Sequence, residues 1–420
     1  MITHYSIKTD KENIYFTINP RTGNWILSKD PNMHPSELDD CEPHKYLEDR
    51  IDMIILNTTS KCNLGCVYCS VGDGKKQVRD MDMSVGNLIL DRVEEFGSPH
   101  MRFIFHGSEP LLNLPFIEDF SRECRSRSER NKQRYQLSIQ TNATLIDEDV
   151  IDLFKRQGIE VSFSLDGLKE HQDSTRPHLS GKGSYSKVLS GIEQLRAYQA
   201  YLSPVTVVSS KNVRDLVEIT QSFKDNGFSR VQYTLVQPTG DAKKDTSLLP
   251  NNNLLFQNIY KSFLMNLEWL REGDAFKIRN LTNILATFFF KTHPNSCSNC
   301  GVYLAQPIAI DTDGEMYPCD FWWGENGYSL GNIKDTSLKS ALNSENNFRL
   351  LRKIEDVQNS DRMMFGKLHN NGCPIDSRAM HNDLLHETYY ASYYKMIYES
   401  VAKLLPVLRE GGLIRTLLEA

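Results

Sequence analysis

Over the first fifty residues hydrophobic and polar positions alternate in short pieces, Tyr5-Ser6-Ile7 and Ile14-Tyr15-Phe16-Thr17-Ile18, around the turn Asn19-Pro20-Arg21-Thr22-Gly23. A period of two broken by Pro and Gly predicts a small β-rich extension over residues 1–50. From residue 51 the pattern changes. Apolar strand candidates at Met53–Leu56, Arg102–Phe105, Gln136–Ile139, Glu160–Ser164, Val205–Val208 and Val231–Val236 alternate with helical periodicities over Val85–Phe96, Val150–Arg156, Val188–Tyr198 and Val213–Phe223. Ser84 and Asp147 stand where helix caps are expected. Six strand-helix units need right-handed crossovers and so predict an α/β unit with a parallel sheet over residues 51–245.

The polar run Thr239–Ser247 reads as a linker into a helical segment, 246–295, whose apolar positions recur from Leu254 to Leu270. A cysteine-bearing segment, 296–376, follows. Residues 377–420 are predicted to end the chain in helix, with Leu384, Leu385, Tyr389, Tyr390, Tyr393, Tyr394, Ile397 and Val401 at helical spacing. That stripe suits core packing; a tyrosine-rich face could instead grip a peptide.

A length of 420 residues allows two or three domains and a large core. The net charge of -6 leaves no polybasic surface, which argues against nucleic acid as the main partner. No apolar run reaches membrane-spanning length, and Met1-Ile2-Thr3-His4 does not begin a signal peptide, so the expectation is a cytoplasmic protein. Nine cysteines is an odd number, and their grouping suits metals in a reducing compartment better than a disulfide framework. Cys41 and Cys124 fall outside both groups and read as ordinary buried thiols.

The first group is Cys62-Asn63-Leu64-Gly65-Cys66-Val67-Tyr68-Cys69, directly after the first apolar strand. Three thiolates leave a four-ligand site open. Such a set is either a partial zinc site completed by a distant residue or an iron–sulfur cube with one iron available to a ligand. The second group is Cys297, Cys300, Cys319 and Cys373, in which the hairpin signal Asp313-Gly314 turns Cys319 back toward the pair Cys297 and Cys300. By spacing alone zinc and an iron–sulfur cluster suit these four thiols equally.

The Cys-x3-Cys-x2-Cys spacing, with the aromatic Tyr68 before the third cysteine, resembles the radical S-adenosylmethionine (SAM) superfamily. That resemblance implies a partial (β/α)6 TIM-like barrel with its chemistry at the carboxyl ends of the strands. It also implies a 4Fe-4S cluster on Cys62, Cys66 and Cys69 whose free iron chelates SAM, and reductive cleavage to a 5′-deoxyadenosyl radical. His106-Gly107-Ser108-Glu109-Pro110 is similar to the family's Gly-Gly-Glu-Pro loop, in which backbone and glutamate hold the SAM amino group; Ser108 replaces the second glycine. Gln140-Thr141-Asn142-Ala143-Thr144 resembles a Gln-Thr-Asn-Gly segment near the cofactor, and Ser164-Leu165-Asp166-Gly167 the Ser-x-Asp-Gly motif whose serine meets the ribose. Arg176 is the candidate for the SAM carboxylate. Cofactor-binding candidates are therefore Tyr68, Gly107, Ser108, Glu109, Asn142, Ser164 and Arg176.

Cys300, Gly314 and Cys319, then Cys319-Asp320-Phe321 and Leu330-Gly331-Asn332-Ile333, resemble the SPASM auxiliary-cluster extension of that superfamily. A complete SPASM domain carries seven cysteines for two clusters, but here no cysteine lies between Cys319 and Cys373. The expectation is a truncated, twitch-like version with one auxiliary 4Fe-4S cluster on Cys297, Cys300, Cys319 and Cys373, able to receive an electron from a product radical. Asp320 matches the proposed general base of sulfatase-maturing relatives; its alternative role is to satisfy backbone donors in the hairpin.

Such enzymes mostly act on peptides. The leading expectation is a maturase that crosslinks side chains of a ribosomally made precursor peptide, with a cyclophane-type carbon–carbon link favoured over a thioether. The alternative is an anaerobic sulfatase-maturing enzyme making formylglycine, against which the missing second cluster counts. A reading of another class is a non-catalytic zinc- or iron–sulfur-bearing protein that binds peptides or carries electrons. The implied partners are a precursor peptide and a flavodoxin- or ferredoxin-type electron donor, and residues 1–50 serve either to cover the barrel's open edge or to dock the peptide.

Overall fold

The computed structural model describes residues 3–8, 13–18, 25–30, 51–72, 78–199, 201–290, 307–325, 327–347, 368 and 372–418. Cys41, Cys297 and Cys300, two of them expected cluster ligands, lie outside the described residues. The N-terminal extension forms β1 (Thr3–Lys8), β2 (Asn13–Ile18) and β3 (Trp25–Ser28), an antiparallel sheet in the order β1-β2-β3. Its buried Phe16 stacks on Trp25 at 5.6 Å and meets Phe288 edge-on at 6.1 Å, while the Trp25 indole donates to the Phe288 carbonyl at 2.8 Å. The described strands of the extension therefore pack on the helix that carries Phe288. Buried aromatic pairs of this kind hold a small sheet that has little core of its own.

The large sheet begins with β4 (Met53–Asn57), buried along its whole length, as expected of a strand covered on both faces. It continues through β5 (His100–His106), β6 (Arg134–Thr141), β7 (Ile159–Ser164), β8 (Pro204–Val208) and β9 (Arg230–Leu235), each parallel to its predecessor. Five of the crossover helices are α1 (Met83–Phe96), α2 (Leu114–Asn131), α3 (Glu148–Gln157), α4 (Lys169–Thr175) and α5 (Tyr185–Arg196). Helix α6 (Leu216–Asp225) precedes β9, and α7 (Asn252–Arg271) follows it. Asp147 caps α3 as expected, accepting from the Val150 amide at 3.0 Å. Helix α1 departs from expectation: its cap is Asp82, which accepts from the amides of Ser84 and Val85 at 2.8 and 3.2 Å. A carboxylate satisfies these orphan donors as well as a hydroxyl does.

Two further segments join the sheet from outside the six units. On one side β10 (Lys277–Ile278), which leads into α8 (Arg279–Phe290), pairs parallel with β9. On the other, β11 (Pro307–Ile310) pairs parallel with β4 and carries the hairpin strands β12 (Glu315–Tyr317) and β13 (Gly331–Asn332). The order is β10-β9-β8-β7-β6-β5-β4-β11-β12-β13, open at both ends. Residues from β4, β5, β6, β7, β8 and β9 all line a single cavity of about 1530 Å³, so the sheet curves around it as a partial barrel.

After the short α9 (Leu338–Leu342), α10 (Pro374–His381) leads to the C-terminal α11 (Ala391–Glu410) and α12 (Leu413–Leu418). Tyr390, Tyr393, Tyr394, Ile397 and Val401 are all buried. The Tyr390 hydroxyl donates to the Val236 carbonyl at 2.6 Å and that of Tyr389 to the Pro250 carbonyl at 3.3 Å. The stripe is core that fastens α11 to the barrel, as buried tyrosines with paired hydroxyls generally are. The helix starts only at Ala391, after Leu384 and Leu385. Cys124 is a buried thiol, as read from the sequence.

Candidate active site

The three-cysteine loop leaves the end of β4 and is tied down at both flanks. The Asn63 amide donates to Thr144 Oγ1 at 2.8 Å and its oxygen accepts from Asn142 Nδ2 at 2.8 Å, which joins the loop to the segment after β6. Backbone bonds from Gly65 to the Pro177 carbonyl (2.8 Å) and from Val67 to the Thr175 carbonyl (2.9 Å) join it to the end of α4. Cys62, Cys66 and Cys69 are half-buried free thiols that all line the cavity. Burial pushes the Cys62 thiol up to about 11 and that of Cys66 up to about 12, and in each the repulsion of the neighbouring thiols adds to the rise. A thiolate ligand set so placed needs a positively charged group to stabilise it, which a metal cluster supplies. Among the described residues no three Cys, His, Asp or Glu groups converge on one ion site. Thiolates that hold separate corners of an iron–sulfur cube do not share a single centre.

Around the loop the strand ends present the other motif residues. Gly107 and Ser108, from the turn after β5, line the cavity. Gly107 has φ +107°, and a Cβ there would lie 2.0 Å from Asn57 Oδ1 at the end of β4, so only glycine lets this turn lie against the strand. Glu109 is fully buried and is not among the cavity-lining residues. Its carboxylate accepts from Thr141 Oγ1 (2.7 Å), the Asn142 amide (2.7 Å) and the Leu111 amide (3.1 Å). Burial pushes its carboxyl up to about 7, further than these donors pull it down. Glu109 acts as a strut between the two loops.

Asn142 and Ser164 line the cavity, with Gln140 Nε2 donating to Ser164 Oγ at 3.1 Å. Asp166, two residues past Ser164, is fully buried and gathers four partners. Tyr68 and Thr175 donate their hydroxyls, the latter at 2.7 Å; the Val207 amide donates at 3.0 Å; Arg176 Nε lies 3.1 Å away in an ion pair. Arg176 also lies over the Tyr68 ring, 5.4 Å from its centroid. Burial pulls its guanidinium down, but Asp166 and then Tyr68 and Cys66 outweigh that and hold it well above its usual value. Arg176 is thus a permanent buried cation that reaches the cavity wall beside the cysteine loop.

Asp320 begins a short helical turn, Asp320–Trp322, immediately after Cys319 and lines the cavity from the hairpin side. His106, at the end of β5, sits 6.2 Å from Trp323, centroid to centroid, which places the hairpin over the strand ends. Cys319 and Cys373, the N-cap of α10, pack against one small core with Tyr317, Trp322 and Ile375. Several buried polar atoms on the cavity wall have no protein partner, among them His106 Nδ1, Gln232 Oε1 and Gln237 Oε1. A large cavity with thiols, a fixed cation, a glycine cradle and unspent polar atoms fits a large polar ligand beside a cluster.

One contributor was missed in the sequence. Gly240, in the presumed linker, has φ +53°, and a Cβ there would lie 2.1 Å from the Cys69 carbonyl oxygen; the Asp241 amide donates to that same oxygen at 2.9 Å. Ala242, Leu248 and Leu249 bury themselves with Tyr68. The segment is a buttress of the cysteine loop. Its only local signal was the Thr239-Gly240-Asp241 turn.

Residues 56–223 match the radical SAM superfamily, and residues 297–364 match SPASM, an iron–sulfur cluster-binding domain. A cysteine-type anaerobic sulfatase-maturating enzyme of Clostridium novyi is 30% identical over 308 residues, which cover 70% of this chain and 79% of that protein. The chain belongs to the radical SAM superfamily. As a radical SAM enzyme with a SPASM domain it uses SAM and iron–sulfur clusters. A structure described as native anSMEcpe with bound AdoMet and Cp18Cys peptide superposes with a TM-score of 0.75 at 25% identity, over 87% of this chain and 99% of that one. Streptococcus suis SuiB bound to the precursor peptide SuiA shares the fold at a TM-score of 0.60 and 13% identity, over 93% of this chain and all of that one. Among the described residues no helix is long and apolar enough to cross a membrane.

Proposed function

We propose that this radical SAM enzyme is an anaerobic maturase that converts a peptidyl cysteine to formylglycine. The observation that carries this reading is the 30% identity to a cysteine-type sulfatase-maturating enzyme over most of both chains. It ranks above the crosslinking maturase that the sequence alone favours. When bound, SAM and its cluster would supply a radical able to take one hydrogen atom from the substrate Cβ, and an auxiliary cluster would supply an acceptor for one electron. Cys62, Cys66 and Cys69 would hold the SAM-binding cluster. Cys319 and Cys373, with Cys297 and Cys300, would hold the auxiliary one.

The chain's own residues do the rest. Arg176 and the Gly107-Ser108 backbone hold the charged end of SAM, Ser164 and Asn142 its middle, and Tyr68 closes the wall behind the cysteine loop. Asp320 accepts the proton released as the substrate radical is oxidised, a task for a carboxylate within reach of the cavity. Hydrolysis of the resulting thioaldehyde replaces sulfur by oxygen and releases hydrogen sulfide.

The short auxiliary cysteine set favours the second reading, a carbon–carbon crosslink in a precursor peptide. Mass spectrometry separates the two. The anaerobically reconstituted protein, given SAM, dithionite and a synthetic cysteine peptide, should yield a product that has lost sulfur, gained oxygen and reacts with an aldehyde reagent. A product with its sulfur retained, two hydrogens lost, no reaction with the aldehyde reagent and no fragmentation between the joined residues establishes the crosslink. Neither product, together with no 5′-deoxyadenosine, overturns both.

A further inference from the structure

The end of the cavity opposite the cysteine loop has a different chemistry. The inward row of β5 runs Arg102, Ile104, His106, and that of β9 runs Arg230, Gln232, Thr234; all six side chains line the cavity, as does Arg279 at the start of α8. The strand starts therefore bring three guanidiniums around one opening. Among the described residues no carboxylate lies within ion-pairing distance of any of them, and Glu160 on the same wall pairs with none. Among the described residues the Arg230 guanidinium lies over the ring of Tyr201, 5.6 Å from its centroid. Burial and then the charges of Arg230 and Arg102 hold the Arg279 guanidinium below its usual value.

A second observation lies one step up the same strand. Gln232 is only 7% exposed; its amide nitrogen donates to the Tyr233 carbonyl at 3.0 Å, and its oxygen, buried on the cavity wall, has no donor. An orphaned acceptor beside three uncompensated cations defines a ligand that carries a negative group and, next to it, an N–H.

We infer that Arg102, Arg230 and Arg279 form a subsite for an acidic side chain of the peptide substrate, with Gln232 accepting from that peptide's backbone. Arg102 and His106 are four residues apart on one strand, so the basic row lies roughly 13 Å below the strand ends. An extended peptide spans that depth in about four residues. The enzyme thus selects peptides whose aspartate or glutamate stands about four positions from the residue that reacts. The inference rests on the peptide-maturase reading, but its test does not need turnover.

Cysteine peptides identical except for Asp or Asn at one position, moved along the chain, are titrated by fluorescence anisotropy into the holoenzyme with SAM and no reductant. Asp should bind at least about tenfold more tightly than Asn when about four residues from the cysteine, a gap of about 1.4 kcal/mol. The ratio should collapse toward one in Arg230→Gln and Arg279→Gln and persist in Arg230→Lys and Arg279→Lys; taken within each protein, it cancels any general loss of binding. Equal binding of Asp and Asn at every position in the wild type, or a preference that survives both glutamine variants, overturns the inference. Inorganic phosphate that raises the melting temperature while Asp and Asn peptides bind alike makes this a free-anion site and also overturns it. Sulfur loss from the cysteine without any Asp preference removes only this inference; an Asp preference without sulfur loss removes only the formylglycine reading.

Discussion

Tyr68 donates its hydroxyl to Asp166, joining the residue before the third cysteine to a strand-end residue ninety-eight positions later. Both side chains are buried, and the same carboxylate also receives Thr175, the Val207 amide and Arg176. The conformation of the loop that presents the thiols is therefore set from across the barrel by one buried charge. A buried carboxylate is tolerable here because both of its oxygens accept hydrogen bonds and a cation compensates it.

Removing that charge should cost more than removing one of its donors. Asp166→Asn leaves Arg176 buried without its counter-charge and is expected to destabilise by about 3–5 kcal/mol. Tyr68→Phe deletes one hydrogen bond to a charged group and is expected to cost about 1–3 kcal/mol. Urea denaturation of the two reconstituted variants checks the order, and iron content should fall in the same sequence. A Tyr68→Phe protein as unstable as Asp166→Asn would mean that the phenol, not the ion pair, organises this centre.

Gly240→Ala tests the buttress. A methyl at that position meets the Cys69 carbonyl oxygen at 2.1 Å, so the cysteine loop must move, and iron bound per chain should drop severalfold. Gly273→Ala is the matched control: Gly273 also has a positive φ, +90°, but nothing lies within 4 Å of an added Cβ. It should cost only the backbone strain of about 1–2 kcal/mol and leave iron content unchanged. Equal iron content in the two variants would remove Gly240 from the site.

The strands of the barrel were legible because a parallel strand buried on both faces is an apolar run with few alternatives, and Met53–Leu56 is one. The strand-end motifs were legible because Gly107 and Ser164 sit in short segments whose order repeats the superfamily's. The long-range pairings were not. Pro307–Ile310 reads as a strand, but nothing local says that it lies beside β4 instead of within its own hairpin. Thr239–Ser247 has the composition of a linker because its role is made by contacts with the cysteine loop, and composition carries no contact information. Ser84 and Asp82 are both good caps, and a two-residue choice between them lies within the usual uncertainty of helix ends. The reaction itself was the least legible, because crosslinking and formylglycine formation share their radical chemistry and differ in what the substrate offers.

Glu109 gives a pH signature. Its carboxyl titrates near 4.5 unfolded and about 7 folded, so burial favours the protonated form in the native state. A group whose folded value is raised contributes fully below its unfolded value, and that contribution is lost as pH rises through the folded value. Relative to Glu109→Gln, the wild type without SAM should lose stability between about pH 4.5 and pH 7, by on the order of 3 kcal/mol in all, and change little above pH 8. Denaturation midpoints of both proteins across that range read the difference. A difference that is flat, or that grows with pH, would show that the three donors to this carboxylate outweigh its burial.

Asp320 and Cys373 separate the two halves of the reaction. Asp320 lines the cavity, whereas Cys373 packs against the small core that includes Trp322 and Ile375. With Asp320 as the base proposed above, Asp320→Asn should lower peptide product formation by about 10²–10⁴-fold, with SAM affinity unchanged. With Cys373 as the auxiliary-cluster ligand proposed above, Cys373→Ala should keep part of the SAM cleavage while stopping product. Cys62→Ala should abolish both 5′-deoxyadenosine and product. Chromatographic quantification of 5′-deoxyadenosine and modified peptide in one reaction gives the ratio that decides. If Asp320→Asn lowers the two products in parallel, the carboxylate acts before the radical meets the peptide; if Cys373→Ala matches the wild type in both, that thiol holds no cluster that the reaction needs.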